Sequence, residues 1–144
     1  MTSVEVGAGF PLWGVRVIAL EQAVAAPLCS RHLHDLGADV VKVERPDGGD
    51  FSRHYDDAVS GLSANFVWLN HGKRSVAIDL RREEGNQALG RLLAEADVFV
   101  HNLGPGAVDR LGFGWDAAHA LNPRLVWCAP AGSNVRPFAA RSAG

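Results

Sequence analysis

Positively charged side chains and one glycine-rich segment stand at the connections between the predicted elements of this chain. The cations are Arg45, the adjacent Lys73 and Arg74, and Arg110. The segment Asn102-Leu103-Gly104-Pro105-Gly106 leaves a predicted strand and enters a helical turn, where residues without side chains let backbone amides approach an anion. Several such cations could converge on phosphate groups. Taken singly, each cation is explained more simply as solvated surface charge, and the glycines as an ordinary turn.

The sequence lacks the familiar motifs of nucleotide, metal and hydrolase sites. Gly72-Lys73-Arg74-Ser75 has neither the earlier glycine nor the lysine-hydroxyl adjacency of a P-loop, and Gly7-Ala8-Gly9 precedes the first predicted strand instead of following it. His32 and His34 would point to nearly opposite faces of a helix, which argues against a metal site with Cys29. No serine lies in a G-x-S-x-G elbow. We therefore expect no ATP hydrolysis, no dinucleotide binding, no metal and no serine hydrolase chemistry.

Hydrophobic periodicity predicts strands that alternate with helices. Short runs rich in β-branched residues indicate strands at Val15–Leu20, Asp39–Glu44, Ser75–Leu80, Asp97–His101 and Leu125–Cys128. Apolar residues at helical spacing predict helices over Pro27–Leu36, Arg82–Ala96 and Trp115–Leu121. This alternation predicts an α/β fold, a Rossmann-like and mostly parallel sheet with helices on both faces. Residues 45–63 follow neither period and are predicted to form a long loop.

The loops that follow the predicted strands mark the expected place of a site. In an open parallel sheet, a ligand binds beyond the carboxyl ends of the strands. We therefore expect Glu21–Ala26, Arg45–Asp50 and Asn102–Gly106 to lie at one edge of the sheet. An antiparallel sandwich would separate these segments and remove the basis for a common site.

Composition narrows the class of protein. The chain has 144 residues, of which 47% are hydrophobic and 21% charged, and this suits one globular domain with a buried core. The formal net charge of -2 argues against recognition of phosphate backbones or anionic lipids, so we expect neither nucleic acid nor membrane as a partner. The first ten residues lack the basic and apolar regions of a signal peptide, and the only cysteines are Cys29 and Cys128. These features favour a reducing, cytoplasmic location.

Four segments, in this order, resemble the family III CoA-transferases, also called the CaiB/BaiF family. They are LWGVRVIALEQAVAAPLCSRHLHDLGADVVKVERPDGGD, NFVWLNHGKRSVAIDL, ADVFVHNLGPGAVDRLGFGW and LNPRLVWC. The resemblance covers nearly the whole chain, and it is specific because separate motifs occur in the family's order. It implies a Rossmann-like large domain that binds coenzyme A (CoA), a small domain later in the chain, and a homodimer of interlocked subunits. It assigns the CoA-binding part to residues 1–129 and an irregular tail to residues 130–144, with the small domain absent.

The resemblance also implies a set of CoA-binding residues. They are Val24, Ala25, Arg45, Leu69, Lys73, Arg74, Asn102, Leu103, Gly104 and Arg110. Arg45, Lys73 and Arg74 resemble the cations that hold the phosphates and ribose of CoA. The strand-exit group that begins at Asn102, together with Arg110, resembles the lining of the adenosine-diphosphate and pantetheine path. CoA and acyl-CoA are then substrates, together with carboxylic acids.

Two departures from the family pattern bear on activity. Val24 stands where formyl-CoA transferases place a glutamine near the thioester, so formyl or oxalyl specificity is not expected. Residues 131–136 replace the family's glycine-rich segment, and the catalytic aspartate of the transferases would follow beyond Gly144. We therefore expect no catalytic residue in this chain and no activity from it alone. A CoA-transferase homologue acting on acyl-CoA thioesters, an α-methylacyl-CoA racemase-like fragment and a non-catalytic CoA-binding remnant stay open as alternatives.

Overall fold

Five strands form one sheet, and each strand is parallel to its neighbours. The computed structural model describes residues 9–130. The strands are β1 Arg16–Leu20, β2 Asp39–Glu44, β3 Arg74–Ala77, β4 Val98–His101 and β5 Val126–Cys128. They lie in the order β3-β2-β1-β4-β5. The parallel sheet expected from the sequence is therefore confirmed, with a strand in each of the predicted places.

Helices cover both faces of the sheet, as expected. They are α1 Ala25–Asp35, α2 Ala64–Asn70, α3 Glu83–Ala94, α4 Ala107–Arg110 and α5 Trp115–Leu121. Successive strand residues point to opposite faces. Ile18 and Phe99 therefore enter a larger core with α3, α4 and α5, whereas Val17 and Val100 enter a smaller core with α1. α2 packs against α1 on the side of the smaller core.

The stretch after β2 contains more structure than its sequence pattern predicts. A 3₁₀ helix spans Phe51–His54 and is capped by Asp50, whose carboxylate accepts the amide proton of Ser52 at 2.9 Å. α2 begins after a turn in which Asp56 accepts the amide proton of Ala64 at 2.9 Å. Helices this short depend on capping and on tertiary packing. Hydrophobic periodicity alone therefore does not indicate them.

The bounds of six predicted elements differ in the structure. β1, β4 and β5 each begin one residue later than predicted. β3 ends at Ala77 instead of Leu80, because Asp79 forms a turn in which its carboxylate accepts the amide proton of Arg81 at 3.1 Å. α1 begins at Ala25, so Pro27 lies in its first turn, where proline is tolerated. α3 is shorter than predicted by a residue at its start and two at its end. The tail predicted after Pro130 lies outside the described residues.

Two glycines of α3 provide a matched pair of substitutions. A Cβ at Gly85 would lie 2.1 Å from the carbonyl oxygen of Asp79, a backbone atom, whereas a Cβ at Gly90 would meet only the Phe113 ring, at 3.7 Å. We expect Gly85→Ala to lower the free energy of unfolding by roughly 2 kcal/mol through overpacking. Gly90→Ala should raise it by up to about 1 kcal/mol, because alanine favours the helix. Chemical denaturation measures both, and equal effects would contradict the close approach of α3 to the turn after β3.

Candidate functional site

The loops that follow β1 and β4 meet at the carboxyl edge of the sheet. The chain changes direction across the sheet between these two strands, since β2 and β3 lie on one side of β1 and β4 lies on the other. The Gln22 amide donates to Oδ1 of Asn102 at 2.9 Å, and Nδ2 of Asn102 donates to the Gln22 carbonyl oxygen at 2.7 Å. The expectation that these two loops share an edge is therefore confirmed. Open parallel sheets bind ligands at this point.

A cleft of about 320 Å³ lies at this edge, against the ends of β1 and β2 and the turn after β3. Apolar side chains line part of it, among them Leu20, Val43 and Leu103. Charged groups of both signs belong to the same lining. The cations are Arg45 and Arg81, and the carboxylates are those of Glu21, Glu44, Asp47, Asp50 and Asp79. A mixed lining of this kind suits a ligand that carries both apolar parts and charged groups.

Two of the predicted cations lie in the segments that follow β2 and β4. Arg45 follows β2 and is exposed, and its Nε donates to the carbonyl oxygen of Gly49 at 2.9 Å. Arg110 ends α4 and is also exposed. Among the described residues, none beyond the chain neighbours of Gly104 lies within 4 Å of the place that a Cβ would take there. The Gly104 backbone is therefore open to an approaching ligand.

Charged side chains of both signs form a buried ion cluster beneath the loops after β1 and β2. Its members are Glu21, Lys42, Glu44, Asp50, Arg53 and Lys73. The Arg53 side chain is 27% exposed, and the other five are at most 4% exposed. Three acids face three bases, so the cluster is neutral as a whole. Buried charges of this kind are tolerated only when they are paired and hydrogen-bonded.

Lys42 connects the two halves of the buried ion cluster from the middle of β2. Its Nζ lies 2.9 Å from Oδ2 of Asp50 and 3.5 Å from Oε1 of Glu21. Nζ of Lys73 lies 2.7 Å from the same Glu21 oxygen. The other Glu21 oxygen accepts the hydroxyl proton of Ser30 at 2.7 Å. Glu21 is therefore held by two ammonium groups and one hydroxyl group.

Glu44 anchors the other half of the cluster. Its carboxylate accepts from Nε and Nη2 of Arg53 at 2.8 and 2.7 Å, from the Ser75 hydroxyl at 2.8 Å and from the Asp50 amide at 2.9 Å. Burial would raise the pKa of Glu44, but these hydrogen bonds prevail and lower the pKa to about 2. The Arg53 guanidinium also stacks on the Phe66 ring, 4.0 Å from its centroid. Glu44 is therefore ionised throughout the neutral range.

Two further members of the cluster have shifted pKa values. Burial would raise the pKa of Asp50, but the Lys42 ammonium and the amides of Ser52 and Ala23 outweigh it, and the pKa falls below its usual value. Burial lowers the pKa of Lys73, and the attraction of Glu21 opposes that change without cancelling it. Asp50 is therefore a carboxylate at neutral pH, engaged on both oxygens.

Lys73 and Arg74 do not reach the cleft. The Lys73 ammonium donates to Glu21, to the carbonyl oxygen of Pro27 at 2.9 Å and to the side-chain oxygen of Asn70 at 3.0 Å. These three acceptors engage all three of its protons. Arg74 begins β3, and its guanidinium pairs with Asp39 at the start of β2, towards the amino end of the sheet. Neither residue belongs to the lining of the cleft, and their contacts with CoA stay predictions.

Three predicted residues lie around the helices of the smaller core. Val24 directly precedes α1 and Ala25 begins it, and both residues are exposed. Leu69 lies in α2 and is fully buried, so its side chain packs in the interior. Contacts of these three residues with CoA stay predictions.

Lys42 and Asp50 are functional candidates that the sequence reasoning missed. Lys42 interrupts the apolar run of β2, and alternation puts it on the same face as the buried Val40. A lysine on a strand whose two faces are both covered requires an acidic partner, which is a usable signal. The partner Asp50 lies in the stretch predicted to be loop, so its position could not be derived from periodicity.

His101 ends β4 on the face opposite the buried ion cluster. It is 4% exposed and packs edge-on against Trp127, with ring centroids 4.6 Å apart. Neither ring nitrogen has a hydrogen-bond partner in the part of the chain that the structure describes. Burial lowers the pKa of His101, and the attraction of Asp109 opposes this change. His101 is therefore neutral at pH 7.

Residues 9–130 contain neither a grouping of metal ligands nor a helix suited to crossing a membrane. Within that range, no three His, Cys, Asp or Glu side chains are grouped so that they could hold a metal ion. No helix in the same range is both long and apolar enough to cross a membrane.

The sequence matches a known family over most of its length. Residues 12–133 fit the sequence model of CoA-transferase family III. The chain belongs to this family. Formyl-CoA:oxalate CoA-transferase from Bradyrhizobium sp. is 38% identical to this family III chain over 128 residues. The protein of the same name from Escherichia coli O6:H1 is 38% identical over 118 residues.

Solved structures show the same likeness. A CaiB/BaiF family protein from Brucella suis is 41% identical, with a TM-score of 0.78 over 83% of this family III chain. Rv3272 from Mycobacterium tuberculosis is 39% identical, with a TM-score of 0.79 over 88% of the chain. The alignments cover 32% and 36% of those proteins. The matches to the transferases from Bradyrhizobium sp. and Escherichia coli cover 30% and 28% of the length of those proteins. The chain therefore spans about a third of the length of its relatives.

Proposed function

We propose that this chain binds CoA at the cleft and that it forms the CoA-binding part of an enzyme that transfers CoA between carboxylic acids. The observation that supports this most is the position of the cleft. It lies at the carboxyl edge of a parallel sheet, beside the point where the strand order reverses, and Arg45 contributes to its lining. Family membership supplies the chemical class of the ligand.

CoA fits the groups at this edge. It carries a diphosphate and a 3′-phosphate on a long, flexible tail, so it is matched by separated cations better than by one compact loop. Arg45 and the exposed Arg110 would make charge-assisted phosphate contacts. The open Gly104 backbone and Leu103 would line the path of the tail, with Asn102 holding the loop in place through Gln22.

The transfer step needs a carboxylate that is free to attack a thioester. Glu21, Glu44 and Asp50 are unsuited to this role, since each is buried and engaged by a cation and by further hydrogen bonds. Asp79, which also lines the cleft, is paired with Arg81. We assign the nucleophile to a position outside residues 9–130 because the family resemblance implies an aspartate further along the chain. The proposal is that residues 1–144 bind CoA and its thioesters without transferring the acyl group. Acyl-CoA and carboxylic acids are the proposed substrates of the whole enzyme, and a homodimer is its proposed assembly.

The experiment combines calorimetry with an exchange assay. The purified chain is titrated with CoA, and separately incubated with a panel of acyl-CoA donors and isotope-labelled acids, with thioester exchange followed by mass spectrometry. We expect saturable binding of CoA and no exchange above the protein-free rate. Absence of binding would overturn the CoA site. Exchange that scales with protein concentration, and that is lost in Arg45→Ala, would overturn the assignment of the nucleophile to another position.

A further inference from the structure

Asp50 touches both loops that border the cleft, although it is only 3% exposed itself. One carboxylate oxygen accepts the amide proton of Ala23 at 3.1 Å, on the loop after β1, and that of Ser52 at 2.9 Å. Its own amide donates to Glu44 at 2.9 Å, which closes the loop after β2. The second oxygen faces the Lys42 ammonium at 2.9 Å. A single buried residue thus joins the two loops to the sheet.

The loop that Asp50 closes also determines the direction of Arg45. Arg45 donates from Nε to the carbonyl oxygen of Gly49, the residue directly before Asp50. Gly49 has a φ of +65°, and a Cβ there would lie 2.5 Å from Oε2 of Glu44. The backbone of this loop therefore packs closely on the buried ion cluster. The Arg45 guanidinium is oriented by a carbonyl group whose own position depends on that packing.

The loop on the other side of the cleft is strained. Ala23 has a φ of +64°, in the left-handed region that residues other than glycine rarely adopt. Such a conformation persists only where the surroundings hold it in place. The bond from the Ala23 amide to Asp50 is a contact of this kind, and it fixes the backbone between Gln22 and the start of α1.

We propose that Asp50 is a positioning residue, which sets the geometry of Arg45 and of the Gln22–Val24 turn for an anionic ligand. Asp50 belongs to the lining of the cleft, but both of its carboxylate oxygens are engaged within the protein, so it acts through those two segments. Lys42 serves this role by neutralising Asp50 in the interior, where an unpaired carboxylate would not be tolerated. The inference rests on the proposed function for the identity of the ligand. The orientation of Arg45 is testable without any ligand.

The first test uses the free protein and follows the Nε proton of Arg45 by ¹⁵N-edited NMR. We expect Asp50→Asn to increase the exchange of this proton with water by about tenfold, the effect of losing one hydrogen bond. The matched control is Asp56→Asn. Asp56 also accepts two backbone amide protons, from Ala58 and Ala64, but it is absent from the lining of the cleft. Unchanged exchange in Asp50→Asn would overturn the positioning role, whatever the ligand is.

The second test separates positioning from general loss of structure. We expect Asp50→Asn to weaken CoA binding about tenfold in the wild-type background. The factor should be clearly smaller when Arg45 is already alanine, because only the contribution through the Gln22–Val24 turn then remains. Equal losses in both backgrounds would show a purely structural role and overturn the inference. If the exchange of the Arg45 proton changes as expected but the wild-type chain binds no CoA, the proposed function fails while the positioning role is supported.

Arg45→Lys tests the same idea in a variant that changes only an exposed side chain. Lysine keeps the charge but lacks the Nε donor and the planar fork of arginine, so it cannot be oriented by Gly49 in the same way. We expect the affinity of Arg45→Lys for CoA to fall by nearly as much as that of Arg45→Ala. Binding of CoA by Arg45→Lys with wild-type affinity would show that charge alone suffices, and it would overturn the inference even if Asp50→Asn does not fold.

Discussion

Replacing Glu44 with glutamine is expected to lower the free energy of unfolding by roughly 3 kcal/mol at pH 7, from the pKa difference between 4.5 and about 2. The variant keeps the shape of the side chain but leaves Arg53 without its carboxylate partner. Removing one member of a buried ion pair costs much more than an exposed pair contributes. Chemical denaturation of the wild-type chain and of Glu44→Gln measures this difference.

The effect of Glu44→Gln should also depend on pH. The folded chain holds the Glu44 pKa below its unfolded value, so the stabilisation is fully present above about pH 4.5. It is lost as the pH falls from there towards about 2, because the unfolded chain then binds the proton more strongly. The stabilities of the wild-type chain and the variant should therefore converge in this range.

Glu95→Gln is the matched control for the buried carboxylate. Glu95 pairs with Arg16 at 3.0 Å, but its side chain is 75% exposed. Its loss should change stability by less than about 1 kcal/mol. Similar losses in the two variants, or a difference between wild type and Glu44→Gln that persists to pH 2, would contradict the account of the buried ion cluster.

Arg45→Ala is expected to weaken CoA binding by roughly tenfold to 150-fold. This range corresponds to about 1.5–3 kcal/mol for one charge-assisted contact. The side chain is exposed and makes one hydrogen bond to a loop carbonyl group, so its removal should leave the fold intact. Isothermal titration calorimetry of the folded variant with CoA measures the change.

Arg74→Ala is the control for charge. The resemblance implies a phosphate contact for Arg74, but its guanidinium pairs with Asp39 towards the other end of the sheet. We therefore expect the affinity of Arg74→Ala for CoA to match that of the wild-type chain. A loss in Arg74→Ala that equals the loss in Arg45→Ala would show that CoA is held by other surfaces than the cleft.

Much of the fold could be predicted from the sequence because it depends on local patterns. The run Asp39–Glu44 forms β2 with the predicted bounds, and Trp115–Leu121 forms α5 with the predicted bounds. The elements that the sequence did not indicate are short. α2 has seven residues and is capped by the Ser63 hydroxyl group. The 3₁₀ helix has four residues and is capped by the Asp50 carboxylate, and both helices also depend on packing.

The candidate site was predicted less completely, for a physical reason. The loops after parallel strands lie at one edge of the sheet, so the sequence could place the loops after β1 and β4 at the same edge. The hydrogen bonds between Gln22 and Asn102 were not predicted. Whether a cationic side chain is buried or exposed cannot be derived in that way. Lys73 and Arg45 are both charged and both lie in connections next to strands, yet Lys73 is buried against Glu21 and Arg45 is exposed. That difference arises from long-range contacts, which the pattern of a single segment does not contain.

The most direct test of the CoA site is a titration of the ¹⁵N-labelled chain with CoA, followed through the backbone amide signals. If CoA occupies the cleft, the largest changes should fall on residues 22–25, 45–50 and 102–110. The control surface is the groove between β3 and α3, where Ala88 and Leu92 lie. Saturable shifts confined to the first three segments are the predicted result. Shifts concentrated on the groove at Ala88 and Leu92, or no shifts at millimolar CoA, would contradict the account.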